Sequence, residues 1–151
     1  MHELVSVIIT TYNRLDFLKE ALNSVQSQSY PHIEIIIIDG SNNNHTEKYI
    51  SNNQNIIYAH SDINHPNVLR NLGIQCSNGK WVAFLDDDDT WAQEKIARQV
   101  ACFKKYNIGL CYTGKNIIND KNEKIGNFYI KKNFTRIKWI YFKMKFKKPK
   151  F

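Results

Sequence analysis

The fold is decided by an apolar run that passes directly into polar residues, Val5-Ser6-Val7-Ile8-Ile9-Thr10-Thr11-Tyr12-Asn13-Arg14. Residues 5–10 are rich in β-branched side chains and apolar on both faces, which predicts a strand buried inside a parallel sheet. Apolar residues then recur at helical spacing over residues 17–25. A buried strand followed by an amphipathic helix is the repeating unit of an α/β fold.

The same unit recurs along the chain. Strands are predicted at 33–38, 55–59 and 81–85, and helices at 46–51, 68–76 and 90–106. Thr90 and Gln93 have the spacing of a capping box that would begin the last helix. A fifth strand is predicted at 109–113 and a hairpin over 117–130. This alternation predicts a Rossmann-like α/β fold with a mostly parallel sheet.

Length and composition indicate one domain of ordinary globular character. The chain has 151 residues, enough for a single hydrophobic core. Its first residues do not resemble a signal peptide, and no stretch approaches the ~18 to 20 consecutive apolar residues of a membrane-spanning helix. The three cysteines lack the spacing of a metal site and are expected to be reduced. We therefore expect a cytoplasmic protein.

The positive charge of the chain is concentrated at its carboxyl end. The formal net charge is +7, but residues 131–151 hold nine of the 21 Lys and Arg and no Asp or Glu. Residues 1–130 hold all 14 acidic residues and are slightly acidic as a result. We predict a globular domain at 1–130 and a basic, aromatic tail at 131–151.

Four consecutive aspartates, Asp86-Asp87-Asp88-Asp89, follow the strand predicted at 81–85. Ligands of parallel α/β sheets bind beyond the carboxyl ends of the strands. Two carboxylates 4 Å apart repel by about 4 kcal/mol at an effective dielectric constant of ~20. A divalent cation that prefers oxygen, Mg²⁺ or Mn²⁺, would relieve this repulsion and bridge to a diphosphate. The alternative is that some of the four cap the next helix and the others lie exposed in a loop.

Three further polar residues are candidates for a ligand site. Asp39 follows a predicted strand and would either accept a hydrogen bond from a base or ribose, or form a turn. Tyr12 would stack on a base or pack against the first helix, and Arg70 would face a phosphate or solvent. The glycine-rich motifs of dinucleotide folds and P-loops are absent. A bound phosphate would therefore be held by metal and side chains.

Five blocks of the sequence, taken together, resemble glycosyltransferase family 2. They are residues 5–14, Ala21-Leu22-x-Ser24-Val25 with Gln28-Ser29-Tyr30-Pro31, residues 33–41, Arg70-Asn71-x-Gly73-Ile74, and Phe84-Leu85-Asp86-Asp87-Asp88-Asp89-x-Trp91. They follow the family's order and spacing over residues 4–113. The resemblance implies a GT-A fold and transfer of a sugar, with inversion, from a nucleoside diphosphate sugar. The acceptor would be a glycan or lipid-linked glycan in polysaccharide or glycoconjugate synthesis.

The resemblance also assigns residues on the nucleoside side of the site. By position, Thr10 and Tyr12 resemble residues that line the nucleoside pocket, and Asp39 resembles the residue that contacts the base. Arg70 would approach the diphosphate. These four roles are what the resemblance implies.

The aspartate run resembles the family's D-x-D motif, with Asp86 and Asp88 as its two acids. Asp88 would bind the divalent metal, Mn²⁺ or Mg²⁺, while Asp86 and Asp87 would approach the ribose and diphosphate. The metal would act as a Lewis acid on the leaving nucleoside diphosphate.

The chain departs from the family pattern at two places. Gly40 stands where a second acid is common after Asp39, and no acid follows Glu123. The family usually continues for roughly another hundred residues, with an acceptor site and a carboxylate base that a transfer reaction needs. The catalytic base is therefore unassigned, and the chain is expected to be truncated. A non-catalytic, donor-binding module is the alternative to an active enzyme.

The tail has its own alternatives. It would be a remnant of the acceptor half, or its basic and aromatic residues would make peripheral contact with the inner face of a membrane. Binding of single-stranded nucleic acid through the tail is a further alternative. The slightly acidic domain argues against nucleic acid as a partner.

Overall fold

The computed structural model describes residues 3–53, 55–119 and 123–128. The chain forms two compact units, Met1–Ala97 and Arg98–Phe151. The predicted tail at 131–151 lies outside the described residues, and the boundary predicted at 130 stays a prediction. In the described part of the chain, no helix is long and apolar enough to cross a membrane.

The first unit contains a four-stranded sheet in the order β3-β2-β1-β4. The strands are β1 (Val5–Thr11), β2 (Ile33–Asp39), β3 (Ile56–His60) and β4 (Trp81–Asp86). All three neighbouring pairs are parallel, which confirms the predicted sheet. Strand order reverses between β1 and β4, the position at which open α/β sheets bind ligands.

Helices connect the strands as the apolar spacing predicts. They are α1 (Leu15–Gln26), α2 (His45–Ile50), α3 (Pro66–Cys76) and α4 (Lys95–Tyr106), the last of which crosses the boundary between the units. The buried face of α1 consists of Leu18, Ala21, Leu22 and Val25. On the sheet, alternate residues of β1 and β2 face opposite sides, and both sides are buried. One side packs on Leu69 of α3 through Ile8, Ile36 and Ile38.

The predicted capping box is wrong. Helix α4 begins at Lys95, five residues after Thr90. The backbone before the helix is bonded to the end of α1 instead: Gln28 Nε2 donates to the Ala92 carbonyl at 2.9 Å. The amide of Ile96 donates to Gln28 Oε1 at 3.1 Å, so a side chain from another element satisfies the start of α4.

The second unit confirms the hairpin but not the fifth strand. Strands β5 (Lys115–Ile118) and β6 (Lys124–Phe128) pair antiparallel, with turn residues 120–122 outside the described part. Residues 109–113 form no strand within the described ranges. Leu110 and Tyr112 are exposed, so these side chains do not pack into a core among the described residues.

Gly73 lets α3 lie close against β1. A Cβ at this position would fall well inside contact distance of Ile8 Cγ2, and 3.1 Å from Ile8 Cγ1 and Cδ1. Ile8 is β-branched and fully buried, so it has little freedom to move aside. The glycine therefore fixes the separation between α3 and the strand that leads to the switch point.

At the amino ends of the strands, the Glu34 carboxylate binds the loop before β4. Its Oε1 accepts hydrogen bonds from the amides of Asn78 at 2.6 Å and Gly79 at 3.0 Å, and from the Ser6 hydroxyl. Burial raises the pKa of Glu34, but the hydrogen bonds from Ser6, Asn78 and Gly79 outweigh it and bring the pKa below its usual 4.5. The ionised carboxylate therefore stabilises the fold.

Replacing Gly73 by Ala is expected to lower the free energy of unfolding by about 1–2 kcal/mol, because overpacking that costs up to about 3 kcal/mol exceeds the ~1 kcal/mol that Ala gains in a helix. Urea denaturation measures the change. The matched control is Gly109→Ala, whose added Cβ meets no atom within 4 Å. Equal stability of the two variants would contradict the close packing of α3 on β1.

Replacing Glu34 by Gln is expected to lower the free energy of unfolding by about 1–3 kcal/mol at pH 7. Because the folded pKa is depressed, the contribution of Glu34 is complete above the usual value of 4.5 and is lost as the pH falls through the folded value. Denaturation from pH 7 down to about 3 should show the difference shrinking below 4.5, whereas exposed Glu20→Gln should show little difference throughout. A difference independent of pH would contradict this role.

Candidate donor-binding site

The carboxyl ends of the parallel strands surround an open cavity of about 240 Å³ in the first unit. The strand register brings these ends together, since Thr10 pairs with Asp86 and Thr11 pairs with Asp39. The lining residues are Thr10, Thr11, Tyr12 and Arg14 after β1, Asn64, Pro66, Leu69 and Arg70 around the start of α3, and Asp86, Asp87 and Asp88 at the end of β4. One side of the cavity is thus acidic, and two arginines face it.

Asp87 is the buried member of the aspartate run, with a side chain that is 0% exposed. Its Oδ2 accepts hydrogen bonds from Thr11 Oγ1 at 2.7 Å and Arg14 Nε at 3.2 Å. Its Oδ1 lies 2.5 Å from Arg14 Nη2, an ion-pair contact without hydrogen-bond geometry. Burial raises the pKa of Asp87 above its usual range, and the Thr11 hydrogen bond and the Arg14 charge partly offset that rise. Asp87 therefore ties β4 to the loop after β1.

The flanking aspartates are more exposed, and each has an arginine partner. Arg14 Nη1 lies 3.0 Å from Asp88 Oδ2, and the Asp88 side chain is 50% exposed. Arg70 Nη2 lies 2.7 Å from Asp86 Oδ1. The carboxylate repulsion expected from the sequence is thus reduced by two guanidinium groups within the protein itself.

The loop after β1 has an unusual backbone. Asn13 has a φ of 54°, in the left-handed region where Asn is tolerated better than most residues. Its amide donates to Ser41 Oγ at 2.7 Å, and its Oδ1 accepts from Asn43 Nδ2 at 2.6 Å. The two neighbours of Asn13, Tyr12 and Arg14, both line the cavity. The loop after β2 therefore holds the loop that carries them.

Asp39 lies apart from the cavity lining. Its side chain is fully buried, with Oδ1 accepting from the Ser41 amide at 2.8 Å and Oδ2 from the Tyr58 hydroxyl at 3.1 Å. The contact with a base that the family pattern implies is not tested by this geometry and stays a prediction.

Six of the seven residues predicted from sequence lie around one cavity: Thr10, Tyr12, Arg70, Asp86, Asp87 and Asp88. Three further residues of the lining were not predicted from the sequence: Thr11, Asn64 and Arg14, of which Arg14 contacts two of the aspartates. A signal for Arg14 was present, because a buried carboxylate needs a positive partner and Arg14 follows the neighbouring strand.

The arrangement suits a metal ion only in company with a phosphate ligand. Among the described residues, no three His, Cys, Asp or Glu side chains converge to hold an ion. Mg²⁺ and related ions are commonly bound by one or two carboxylates together with substrate phosphates and water. The half-exposed Asp88 carboxylate at the cavity wall meets that requirement.

Residues 6–151 match the family described as Glycosyl transferase family 2. The chain belongs to this family. The family resemblance stated from the five sequence blocks is therefore confirmed, and the match extends over the described part of both units.

Several curated members of glycosyl transferase family 2 resemble this chain. An uncharacterized glycosyltransferase of Rickettsia felis is 36% identical over 80% of this chain and 21% of its own length. A putative teichuronic acid biosynthesis glycosyltransferase of Bacillus subtilis, TuaG, is 30% identical over 83% of this chain and 52% of its own. The Escherichia coli UDP-Glc:alpha-D-GlcNAc-diphosphoundecaprenol beta-1,3-glucosyltransferase WfaP is 31% identical over 88% and 49%. The family 2 chain thus spans from a fifth to about half of these relatives.

Solved structures establish the GT-A fold. S. aureus TarS 1-349 in complex with UDP-GlcNAc superposes with a TM-score of 0.62 at 22% identity, over 76% of this chain and 40% of that one. The mannosyltransferase PcManGT from Pyrobaculum calidifontis, in complex with GDP-Man and Mn²⁺, gives 0.65 at 20% identity, over 75% and 36%. The predicted fold class is confirmed.

Replacing Arg14 by Gln is expected to lower the free energy of unfolding by about 1–3 kcal/mol, because buried Asp87 loses its positive partner while the exposed part of Arg14 limits the effect. Adding Asp87→Asn should recover part of the loss, a coupling that a double-mutant cycle measures. The control is Lys19→Gln, which breaks an exposed pair with Asp16 and should leave the stability nearly unchanged. Strictly additive losses at Arg14 and Asp87 would refute the coupling.

Proposed function

We propose that this chain binds a nucleoside diphosphate sugar with a divalent metal and forms the donor-binding part of an inverting glycosyltransferase. The observation that carries the proposal is the convergence of Asp86, Asp87 and Asp88 with Arg14 and Arg70 on one cavity at the switch point of the sheet. Membership of glycosyl transferase family 2 supports the same reaction class.

Different residues of the cavity would bind different parts of the donor. Tyr12 and Thr10 lie on the β1 side of the cavity and would contact the nucleoside. Arg70 is positioned by Asp86 and would place a positive charge beside the diphosphate. Asp87 is buried and would act by orienting Arg14 rather than by touching the donor.

Asp88 is the proposed ligand of the metal, Mn²⁺ or Mg²⁺. When bound, the ion would act as a Lewis acid that stabilises the negative charge developing on the leaving nucleoside diphosphate. The relative solved with GDP-Man and Mn²⁺ supports a divalent ion in this fold. Asp88 and Arg14 form an exposed pair, so the carboxylate can exchange its partner for an ion at little cost.

The acceptor and the setting are proposed from the relatives. WfaP is named for transfer to a diphosphoundecaprenol-linked sugar, and TuaG for teichuronic acid biosynthesis. We propose a glycan or lipid-linked glycan acceptor, polysaccharide or glycoconjugate synthesis, and work in the cytoplasm at the inner face of a membrane. The second candidate is donor binding without transfer; the chain spans about half of the length of these relatives.

The decisive experiment is calorimetry of the full chain with UDP, GDP and dTDP, with and without Mn²⁺. We expect binding that requires the metal, and Asp88→Asn should weaken the metal-dependent affinity by at least about tenfold. The matched control is Asp89→Asn, since Asp89 neighbours Asp88 but lies outside the cavity lining. A folded wild-type chain that binds none of the three nucleotides would overturn the proposal, as would equal losses in the two variants.

Donor hydrolysis separates the two candidates. Release of UDP from a UDP-sugar by the wild-type chain, abolished in Asp88→Asn, would establish chemistry at this site. Nucleotide binding with no release from any donor, with or without acceptor glycan, would favour the donor-binding module.

A further inference from the structure

A buried carboxylate outside the cavity connects the loops that form it. Asp39 is 0% exposed and ends β2, beside the strand that leads to the cavity. One carboxylate oxygen accepts a hydrogen bond from the Ser41 amide at 2.8 Å, and the other accepts one from the Tyr58 hydroxyl at 3.1 Å. Both oxygens are therefore engaged inside the protein.

Ser41 connects Asp39 to the loop that follows β1. Ser41 is only 2% exposed, and its Oγ accepts a hydrogen bond from the Asn13 amide at 2.7 Å. Asn13 needs such support because its φ of 54° lies in the left-handed region. A second link joins the same loops, from the Gly40 amide to the Thr11 carbonyl at 3.0 Å.

The backbone of Asn13 decides where its two neighbours point. Tyr12 and Arg14 stand on either side of it and both line the cavity. Arg14 in turn makes the ion pairs with Asp87 and Asp88. A change in the peptide at Asn13 would therefore reach the nucleoside side of the cavity and its acidic wall together.

We propose that Asp39 is a positioning residue, which acts through Ser41 to hold the left-handed backbone of Asn13 and so aims Tyr12 and Arg14 at the cavity. For the effect on ligand binding, this inference rests on the proposed function. It differs from a direct contact with the base, which would require a carboxylate oxygen exposed to the ligand.

The partner of Asp39 fits this role. Burial raises the pKa of Tyr58, and the negative charge of Asp39 raises it further. The Tyr58 hydroxyl therefore stays protonated throughout the neutral pH range and donates a hydrogen bond to Asp39. The Asp39 carboxylate is thus fixed by Tyr58 of β3 and in turn fixes the Ser41 amide.

Substitutions at Asp39 separate positioning from direct recognition. Asp39→Asn keeps an acceptor for the Ser41 amide, and the Tyr58 hydroxyl can reverse its role to accept from the new amide. We expect Asp39→Asn to bind UDP, GDP and dTDP within about threefold of wild type, and Asp39→Ala to lose about tenfold equally for all three. A change in preference among the nucleotides by tenfold or more in Asp39→Asn would overturn the proposal.

Substitutions at Asn13 test the backbone itself. Glycine adopts positive φ readily and alanine does not, so Asn13→Gly should retain nucleotide affinity while Asn13→Ala loses roughly tenfold. Equal affinities of the two variants in a wild-type background that binds nucleotide would contradict the proposed role of the left-handed residue.

Amide hydrogen exchange tests the connection without any ligand. In Ser41→Ala the Asn13 amide loses its acceptor and should exchange at least about tenfold faster, while the amide of Leu22 in α1 keeps its rate. Asp39→Ala should have the same local effect, and Ser51→Ala, which removes an exposed hydroxyl at the end of α2, should have none.

The two arms distinguish failure of this inference from failure of the proposed function. Absence of nucleotide binding by wild type would sink the proposed function, and the exchange rates would then decide the connection alone. An Asn13 amide equally protected in wild type, Asp39→Ala and Ser41→Ala would sink the inference whatever the nucleotides do.

Discussion

The ion pairs between Arg14 and the aspartate run join two parts of the chain that are far apart in sequence and adjacent in the sheet. Arg14 follows β1, whereas Asp87 and Asp88 follow β4, and these strands flank the reversal in strand order. A carboxylate as buried as Asp87 is tolerated only with a charged or hydrogen-bonded partner. Thr11 and Arg14 supply both, so the edge of the sheet can keep an acidic wall before any ligand arrives.

Two further buried or partly buried carboxylates fix loops at the ends of the strands. At the carboxyl ends of the strands, Asp39 joins β3 to the loop after β2, and Ser41 of that loop binds the loop after β1. At the amino ends of the strands, Glu34 joins β2 to the loop before β4. Each carboxylate accepts hydrogen bonds from backbone amides of a loop. Apolar contacts of the buried strands hold the sheet together, while these polar links fix the loops that make the cavity.

The parallel sheet and the place of the site were predictable because they follow from local pattern. Apolar runs of β-branched residues specify buried strands, and Asp86 to Asp88 come directly after one of them. Partners from distant parts of the chain could not be predicted in this way. Gln28, which lies two residues after the end of α1, accepts a hydrogen bond from the start of α4, and Asp39 accepts one from Tyr58 of β3. Nothing in the residues near Thr90 or Asp39 encodes those partners, since they are set only when the elements pack.

We propose that the aspartate wall and its two arginines form a donor site with a metal at Asp88. Crystals of the full chain grown with UDP and Mn²⁺, measured at the manganese absorption edge, test it most directly. We expect an anomalous peak within bonding distance of an Asp88 carboxylate oxygen, with the diphosphate near Arg70. Nucleotide and manganese bound elsewhere on the protein, with Asp88 still paired to Arg14, would contradict it.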